Sequence, residues 1–144
     1  MTSRVLVATD GSLRSKKATD IAIGLAKALG ASLVGCTATP PYPYYGLGEV
    51  LPDSEAQYQA AASAAATERL TAIERAARDA GVPCTTVIQE QQHPHRAILQ
   101  VAQENDCDLI VMASHGRKGL NKLFLGSETQ KVLAHTKLPV LVLR

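Results

Sequence analysis

Two glycines, Gly116 and Gly126, frame a basic loop near the C-terminus of the chain, and Ser127 follows the second directly. Glycine lets an anion approach the main chain closely. A helix that begins beside Ser127 would present unpaired N–H groups and a partial positive charge, which suits phosphate. The residue types and their spacing therefore predict a cradle for a negatively charged group at this loop.

An ordinary helix start is the competing interpretation of the same residues. Ser127 and the three residues after it, Glu128, Thr129 and Gln130, fit the S/T-x-x-E/Q capping box, in which the serine side chain caps the helix. That interpretation leaves the preceding glycine and the basic residues of the loop without a role. The residues alone support phosphate binding and simple capping equally.

Several other chemistries lack the residues that they require. The chain has no G-x-x-x-x-G-K-[ST] phosphate loop, no G-x-G-x-x-G after its first strand and no G-x-S-x-G nucleophile elbow. His93 and His95 flank Pro94 at a spacing that does not place two ligands on one helix face, so a solvated helix start is favoured over a metal site. Near the loop His115 is the one obvious candidate for a titrating base, and nothing in the sequence orients it.

Length and composition indicate one globular domain: 144 residues, 46% of them hydrophobic and 19% charged, with a net charge of +2. Tryptophan is absent and there is a single phenylalanine, so a dedicated nucleic-acid binder is not expected. No apolar run is long enough to span a bilayer. Cys36, Cys84 and Cys107 are widely spaced beside apolar stretches, which favours buried thiols in a reducing cytoplasm.

The elements that must position the loop alternate between strand and helix. Apolar or β-branched runs predict strands over 4–9, 31–39, 83–90, 108–114 and 138–143, and helical patterns lie over 13–29, 55–80, from Pro94 onward, and 127–135. This alternation predicts a single-domain α/β fold with an open parallel sheet and helices on both faces. Ligands bind such sheets at the carboxyl ends of the strands, which points to loops 9–12, 37–54 and 113–126.

The spacing from residue 113 to Gly116, Gly126 and Ser127 resembles the nucleotide-binding pattern G-x2-G-x9-G-[ST] of the universal stress protein family. "VLVATDGS", "DLIVMASHG" and "GSETQKVLAHTKLPVLVL" are similar to the family's first strand and turn, fourth strand, and closing helix and strand. The chain is identified as a member on this basis, with Ala113 in place of the motif's first glycine. The resemblance implies a five-stranded sheet of order 3-2-1-4-5, Rossmann-like and similar to the adenine nucleotide α-hydrolases.

The resemblance also implies which residues bind the nucleotide. They are Ala8, Thr9, Asp10, Thr37, Met112, Ala113, Ser114, His115, Gly116, Arg117, Gly126, Ser127 and Glu128. Asp10 would lie near the ribose or a Mg²⁺ ion on the phosphates, with a turn residue as the alternative, and Thr37 would offer backbone hydrogen bonds to the adenine edge. Met112 would line the pocket or belong to the core, and Glu128 would turn its carboxylate away from the phosphates.

The function that the resemblance implies is an ATP-binding universal stress protein that acts as a nucleotide-responsive signalling or protective module. The alternatives are an interaction protein of the same fold without a nucleotide and a slow ATP hydrolase. Tyr42, Tyr44 and Tyr45 would form a lid over the adenine or an ordinary surface connector. An exposed apolar edge is a hazard unless it is paired, and the family pairs its last strand, so we expect a cytoplasmic homodimer through 138–143, without nucleic-acid or membrane partners.

Overall fold

A computed structural model describes residues 2–42, 52–114 and 125–144 of the chain. Strands and helices alternate along these ranges, as the sequence predicts. They are β1 Arg4–Ala8, α1 Leu13–Leu29, β2 Ser32–Thr39, α2 Pro52–Ala80, β3 Cys84–Glu90, α3 Pro94–Glu104, β4 Leu109–Ala113, α4 Ser127–His135 and β5 Val140–Leu143.

The strands form one parallel sheet of order β3-β2-β1-β4-β5, which confirms the predicted fold and strand order. Central strand β1 is buried on both faces: Val5 and Val7 pack with one core cluster and Leu6 with the other. A parallel strand that is covered on both sides reads as a continuous apolar run, which is the pattern of this segment.

The helices cover the two faces in pairs. The first core cluster holds residues of α1 and α2, among them Ala22 and Ile73, and the second holds Ile98 of α3 and Val132 of α4. The connection that follows β1 therefore runs over one face, and the connection that leads into β4 runs over the other. The chain reverses its winding direction between β1 and β4, and α/β sheets hold ligands at such a point.

Two element bounds differ from the sequence prediction by more than one residue. Helix α2 begins at Pro52, earlier than predicted, because proline fits the first turn of a helix, where its missing N–H is not needed. Strand β5 begins at Val140, later than predicted, directly after Pro139, whose carbonyl accepts the Ile110 N–H (3.0 Å).

The cysteines are free, and Cys36 and Cys107 are buried as expected, whereas Cys84 is partly exposed. Burial raises the pKa of Cys36 to about 12 and that of Cys107 to about 11. Both buried thiols are therefore protonated at neutral pH. Within the described ranges, no helix has the length and hydropathy that crossing a membrane requires.

Candidate functional site

The turn after β1 closes the N-terminus of α1 with its own side chains. Asp10 accepts the Ser12 N–H on Oδ1 (2.9 Å), which makes the turn that the sequence analysis held as the alternative role of this residue. Gly11 lies in the left-handed region (φ 82°), which glycine adopts without strain. Ser12 is the N-cap of α1, and its Oγ accepts the Ser15 N–H (3.2 Å). This helix start is therefore capped from within.

The start of α4 is different, because its N-cap is Gly126 (φ −63°, ψ 152°) and no side chain caps it. Gly126 accepts the first helical hydrogen bond, from the Gln130 N–H (3.0 Å), so Ser127 is already inside the helix. The capping-box interpretation is therefore wrong: the serine lies one residue too late to cap. The N–H groups of Ser127, Glu128 and Thr129 have no acceptor among the residues that the structure describes.

Thr129 anchors this open helix start to the end of β4. Its hydroxyl is within hydrogen-bond distance of two backbone carbonyls, those of Ala113 (3.2 Å) and Ser114 (3.1 Å), and its side chain is 2% exposed. Ser114 also accepts the Gly126 N–H (2.7 Å). The first turn of α4 is thus fixed at the carboxyl end of β4, beside the reversal point of the sheet. The sequence analysis named Thr129 only within the capping box and did not predict this anchoring role, although a threonine in the first turn is a usable signal.

The Glu128 carboxylate joins its own helix to the neighbouring helix α3. Its Oε2 accepts both the backbone N–H and the Nδ1 of His95, each at 2.8 Å, and its Oε1 lies 3.5 Å from Lys131 Nζ. The N-cap of α3, His93, makes no side-chain cap, so Glu128 supplies the missing acceptor from α4. Burial raises the pKa of Glu128, but the hydrogen bonds from His95 outweigh it, and the net pKa lies below the ordinary value.

His95 is buried, with 9% of its surface exposed, so the expected solvated helix start is wrong for this residue. Its ring centroid lies 5.7 Å from that of His93 and 6.1 Å from that of His135. Because the contact runs between α3 and α4, local sequence could not reveal it. In the part of the chain that the structure describes, no group of at least three His, Cys, Asp or Glu side chains could hold a metal ion.

Strand β2 extends past the end of β1 and offers backbone groups there. The N–H and C=O groups of successive strand residues point alternately to the two neighbouring strands. Thr39 accepts the Gln91 N–H on the β3 side (3.0 Å), and Cys36 accepts a hydrogen bond from the β1 side (2.9 Å). By this alternation the backbone of Thr37 faces β3, and that of Ala38 faces the open space beyond β1.

The end of β1 leaves the Ala38 N–H without its usual partner. The carbonyl that would continue the ladder, that of Thr9, accepts the Thr37 hydroxyl instead (2.8 Å). No acceptor for the Ala38 N–H lies within the described ranges. The backbone hydrogen bonds that the sequence analysis expected from Thr37 are therefore available one residue later, at the half-buried Ala38.

Two predicted pocket residues lie at the end of β4. Met112 is 6% exposed and packs in the core cluster of α3 and α4, which is the core role that the sequence analysis left open. Ala113, the last residue of the strand, is half-buried and lies outside the left-handed region. Its methyl group is therefore compatible with its backbone, so the missing glycine is not needed for conformational reasons.

The middle of the motif lies outside the described residues. His115, Gly116 and Arg117 belong to that part of the chain, as do Tyr44 and Tyr45 of the expected lid. The lid and the contribution of these residues to a phosphate cradle stay predictions. At the described start of the tyrosine-rich loop, Tyr42 packs edge-on against Tyr58 of α2, with ring centroids 5.3 Å apart.

The carboxyl edge of the sheet therefore carries two sets of open backbone groups. Ala38 offers an N–H at the end of β2, and Ser127 to Thr129 offer N–H groups at the start of α4. Strands β2 and β4 flank β1, so about 10 Å separates the two sets at the usual strand spacing. Donors at a strand edge suit a heteroaromatic base, and an uncapped helix start suits an anion.

Comparison with known proteins gives the family. The sequence profile of the universal stress protein family matches residues 1–144. A universal stress protein of Thermus aquaticus is 37% identical, with 100% of both chains covered. The crystal structure of a universal stress protein in complex with cAMP is 27% identical, with a TM-score of 0.69 and 99% and 97% of the two chains covered.

A more distant solved structure agrees with the fold. Universal stress protein UspA from Lactobacillus plantarum is 22% identical and superposes with a TM-score of 0.82 over 99% of this chain and 98% of its own. At that identity the likeness concerns the fold alone, and the profile and the Thermus relative decide the family. The chain belongs to the universal stress protein family.

Proposed function

We propose that the chain binds ATP at the carboxyl edge of the sheet and serves as a nucleotide-responsive stress module. The adenine edge meets the backbone of Ala38, the ribose lies by Asp10, and the phosphates reach the start of α4. A solved relative that is 27% identical binds cAMP, which supports an adenine nucleotide as the ligand class.

The uncapped start of α4 is the observation that carries the proposal. The chain caps α1 with Ser12 but leaves α4 with a glycine and three N–H groups that have no acceptor within the described ranges. A helix start carries about half a positive charge, and a favourably placed anion gains about 0.3–2 kcal/mol from it. A phosphate would supply the acceptors that no described side chain supplies.

Binding rather than turnover fits the described residues of this edge. Hydrolysis requires a positioned base and neutralisation of the leaving phosphate. The carboxylate at the end of β1, that of Asp10, instead accepts a hydrogen bond within its own turn. In this proposal Mg²⁺ binds to the phosphates, and Asp10 is its contact on the protein. Whether the site holds a nucleotide would then determine the functional state of this stress module.

We also propose that the protein is a cytoplasmic homodimer that pairs through β5. The residues of this strand, Val140–Leu143, are half-buried, and β5 lies at the edge of the sheet beside β4. An apolar edge strand is a template for pairing with another chain. The free cysteines support a reducing compartment.

Isothermal titration calorimetry with ATP tests the binding proposal. Gly126→Val places a branched side chain at the phosphate approach, and Gly24→Val makes the same change on α1, where an added Cβ meets nothing within 4 Å. We expect Gly126→Val to lose ATP binding at least tenfold with its melting temperature retained, and Gly24→Val to bind like the wild type. The proposal fails if wild-type protein binds no ATP at millimolar concentration and releases no nucleotide on denaturation.

A further inference from the structure

Helix α2 carries a charged residue at the margin of its core-facing stripe. Ala66 (0% exposed), Leu70 (4%) and Ile73 (3%) are buried against the sheet, and Arg69 lies three residues after the first and four before the last. That spacing places Arg69 at the margin of the buried face, and its side chain is half-buried. A long charged side chain at such a margin packs its stem on apolar surface and leaves its head group available for polar contacts.

The guanidinium of Arg69 has few protein partners. One nitrogen lies 3.4 Å from Thr37 Oγ1, at the long limit of a hydrogen bond, and that hydroxyl already donates to the Thr9 carbonyl. Among the described residues no carboxylate forms an ion pair with Arg69. A guanidinium has five N–H donors and no acceptor, so most of its hydrogen-bonding capacity is open to a ligand.

Arg69 lies at the adenine end of the proposed site. Thr37 precedes Ala38, whose backbone faces the space beyond β1, and its side chain contacts both Thr9 and Arg69. The start of α4 lies beyond the next strand, about 10 Å away at the usual strand spacing, and α4 packs on the opposite face of the sheet from α2. The position of Arg69 therefore favours contact with the base over contact with the phosphates.

We propose that Arg69 binds the base of the nucleotide, either by donating to a ring nitrogen or by lying over the ring face. The assignment rests on the proposed ATP site and adds a side chain from α2 to its base end. Guanidinium groups interact favourably with aromatic faces and with acceptor atoms. Because the contact is to the base, its contribution is the same for every adenine nucleotide whatever its phosphate count.

The test compares the affinities of four ligands, ATP, ADP, AMP and adenosine, for three proteins by calorimetry. The proteins are wild type, Arg69→Gln and a matched control, Arg75→Gln, which removes the same charge from an exposed position of α2. We expect Arg69→Gln to weaken binding of all four ligands by one common factor of about ten, the loss of one contact to a cationic donor. Arg75→Gln should leave all four affinities within about twofold.

Two outcomes overturn the assignment while the ATP site stands. If the loss grows from adenosine to ATP, Arg69 contacts phosphate; if no affinity changes, its guanidinium extends into solvent and only its stem packs. Arg69→Met keeps the apolar stem of the side chain, and the melting temperatures of all variants report whether they fold. A common tenfold loss of affinity in both Arg69 variants, with retained melting temperatures, supports the assignment. If wild type binds none of the four ligands, the ATP site fails and the assignment falls with it.

Discussion

Replacing Glu128 with alanine should destabilise the protein, because it removes the acceptor that joins α4 to the start of α3. The carboxylate accepts two hydrogen bonds from His95, both at 2.8 Å. Hydrogen bonds to charged groups contribute about 1.5–3 kcal/mol each when they are well shielded. The Glu128 side chain is 33% exposed, so water replaces part of the loss, and we expect about 1–2 kcal/mol in total.

Chemical denaturation at several pH values measures this contribution and its sign. The fold lowers the pKa of Glu128 from 4.5, since burial, which raises it, is outweighed by the hydrogen bonds from His95. The stabilisation is therefore fully present above pH 4.5 and is lost as the pH falls through the lowered value. The difference between wild type and Glu128→Ala should shrink as the pH falls from about 5 toward 3.

Two controls make the prediction specific. Glu68→Ala removes a carboxylate from an exposed position of α2 and should change the free energy of unfolding by less than about 0.5 kcal/mol. A double-mutant cycle of Glu128→Ala with His95→Ala should give a coupling of about 1 kcal/mol. Additive effects of the two substitutions, or a loss that persists unchanged to pH 3, would refute the reasoning.

Three further predictions concern the helix caps, the thiols and the edge strand. Ser12→Ala should lower the free energy of unfolding in urea by about 1 kcal/mol and Ser127→Ala by less than about 0.5 kcal/mol, because only the first serine caps its helix. Equal losses would mean that Ser127 also caps its helix. Iodoacetamide at pH 8 should label the partly exposed Cys84 well before the buried Cys36 in folded protein, as read by peptide mass spectrometry. Size-exclusion chromatography at micromolar concentration should show a dimer for wild type and a monomer for Val142→Pro, which deletes an N–H on the open side of β5; a wild-type monomer would contradict the pairing.

The fold was predictable because its signals are local and repeated. Each strand is a short apolar run, each helix has an inward stripe, and parallel alternation leaves few topologies. Even the order of the strands followed once the family was recognised, and the structure confirms it. Burial of Cys36 and Cys107 also followed from their apolar neighbours.

The details of the site depend on information that a single segment does not hold. Ser127 fits a capping box in sequence, but the helix begins one residue earlier than that motif requires. Gly126 is therefore the N-cap. The backbones of Thr37 and Ala38 face different neighbours of β2, and the pairing of the strands decides which neighbour each one faces. The burial of His95 arises from a contact between α3 and α4, which joins residues 33 positions apart.

An NMR titration of ¹⁵N-labelled protein with ATP tests the central claim most directly, because it observes the backbone N–H groups that the claim concerns. The account predicts that the amide resonances of Ser127, Glu128 and Thr129 move strongly as ATP binds. The amide of Ser15, which donates to the Ser12 cap of α1, serves as the internal control and should move little. Saturable ATP binding that leaves the three α4 amides in place, or no binding at millimolar ATP, would contradict the account.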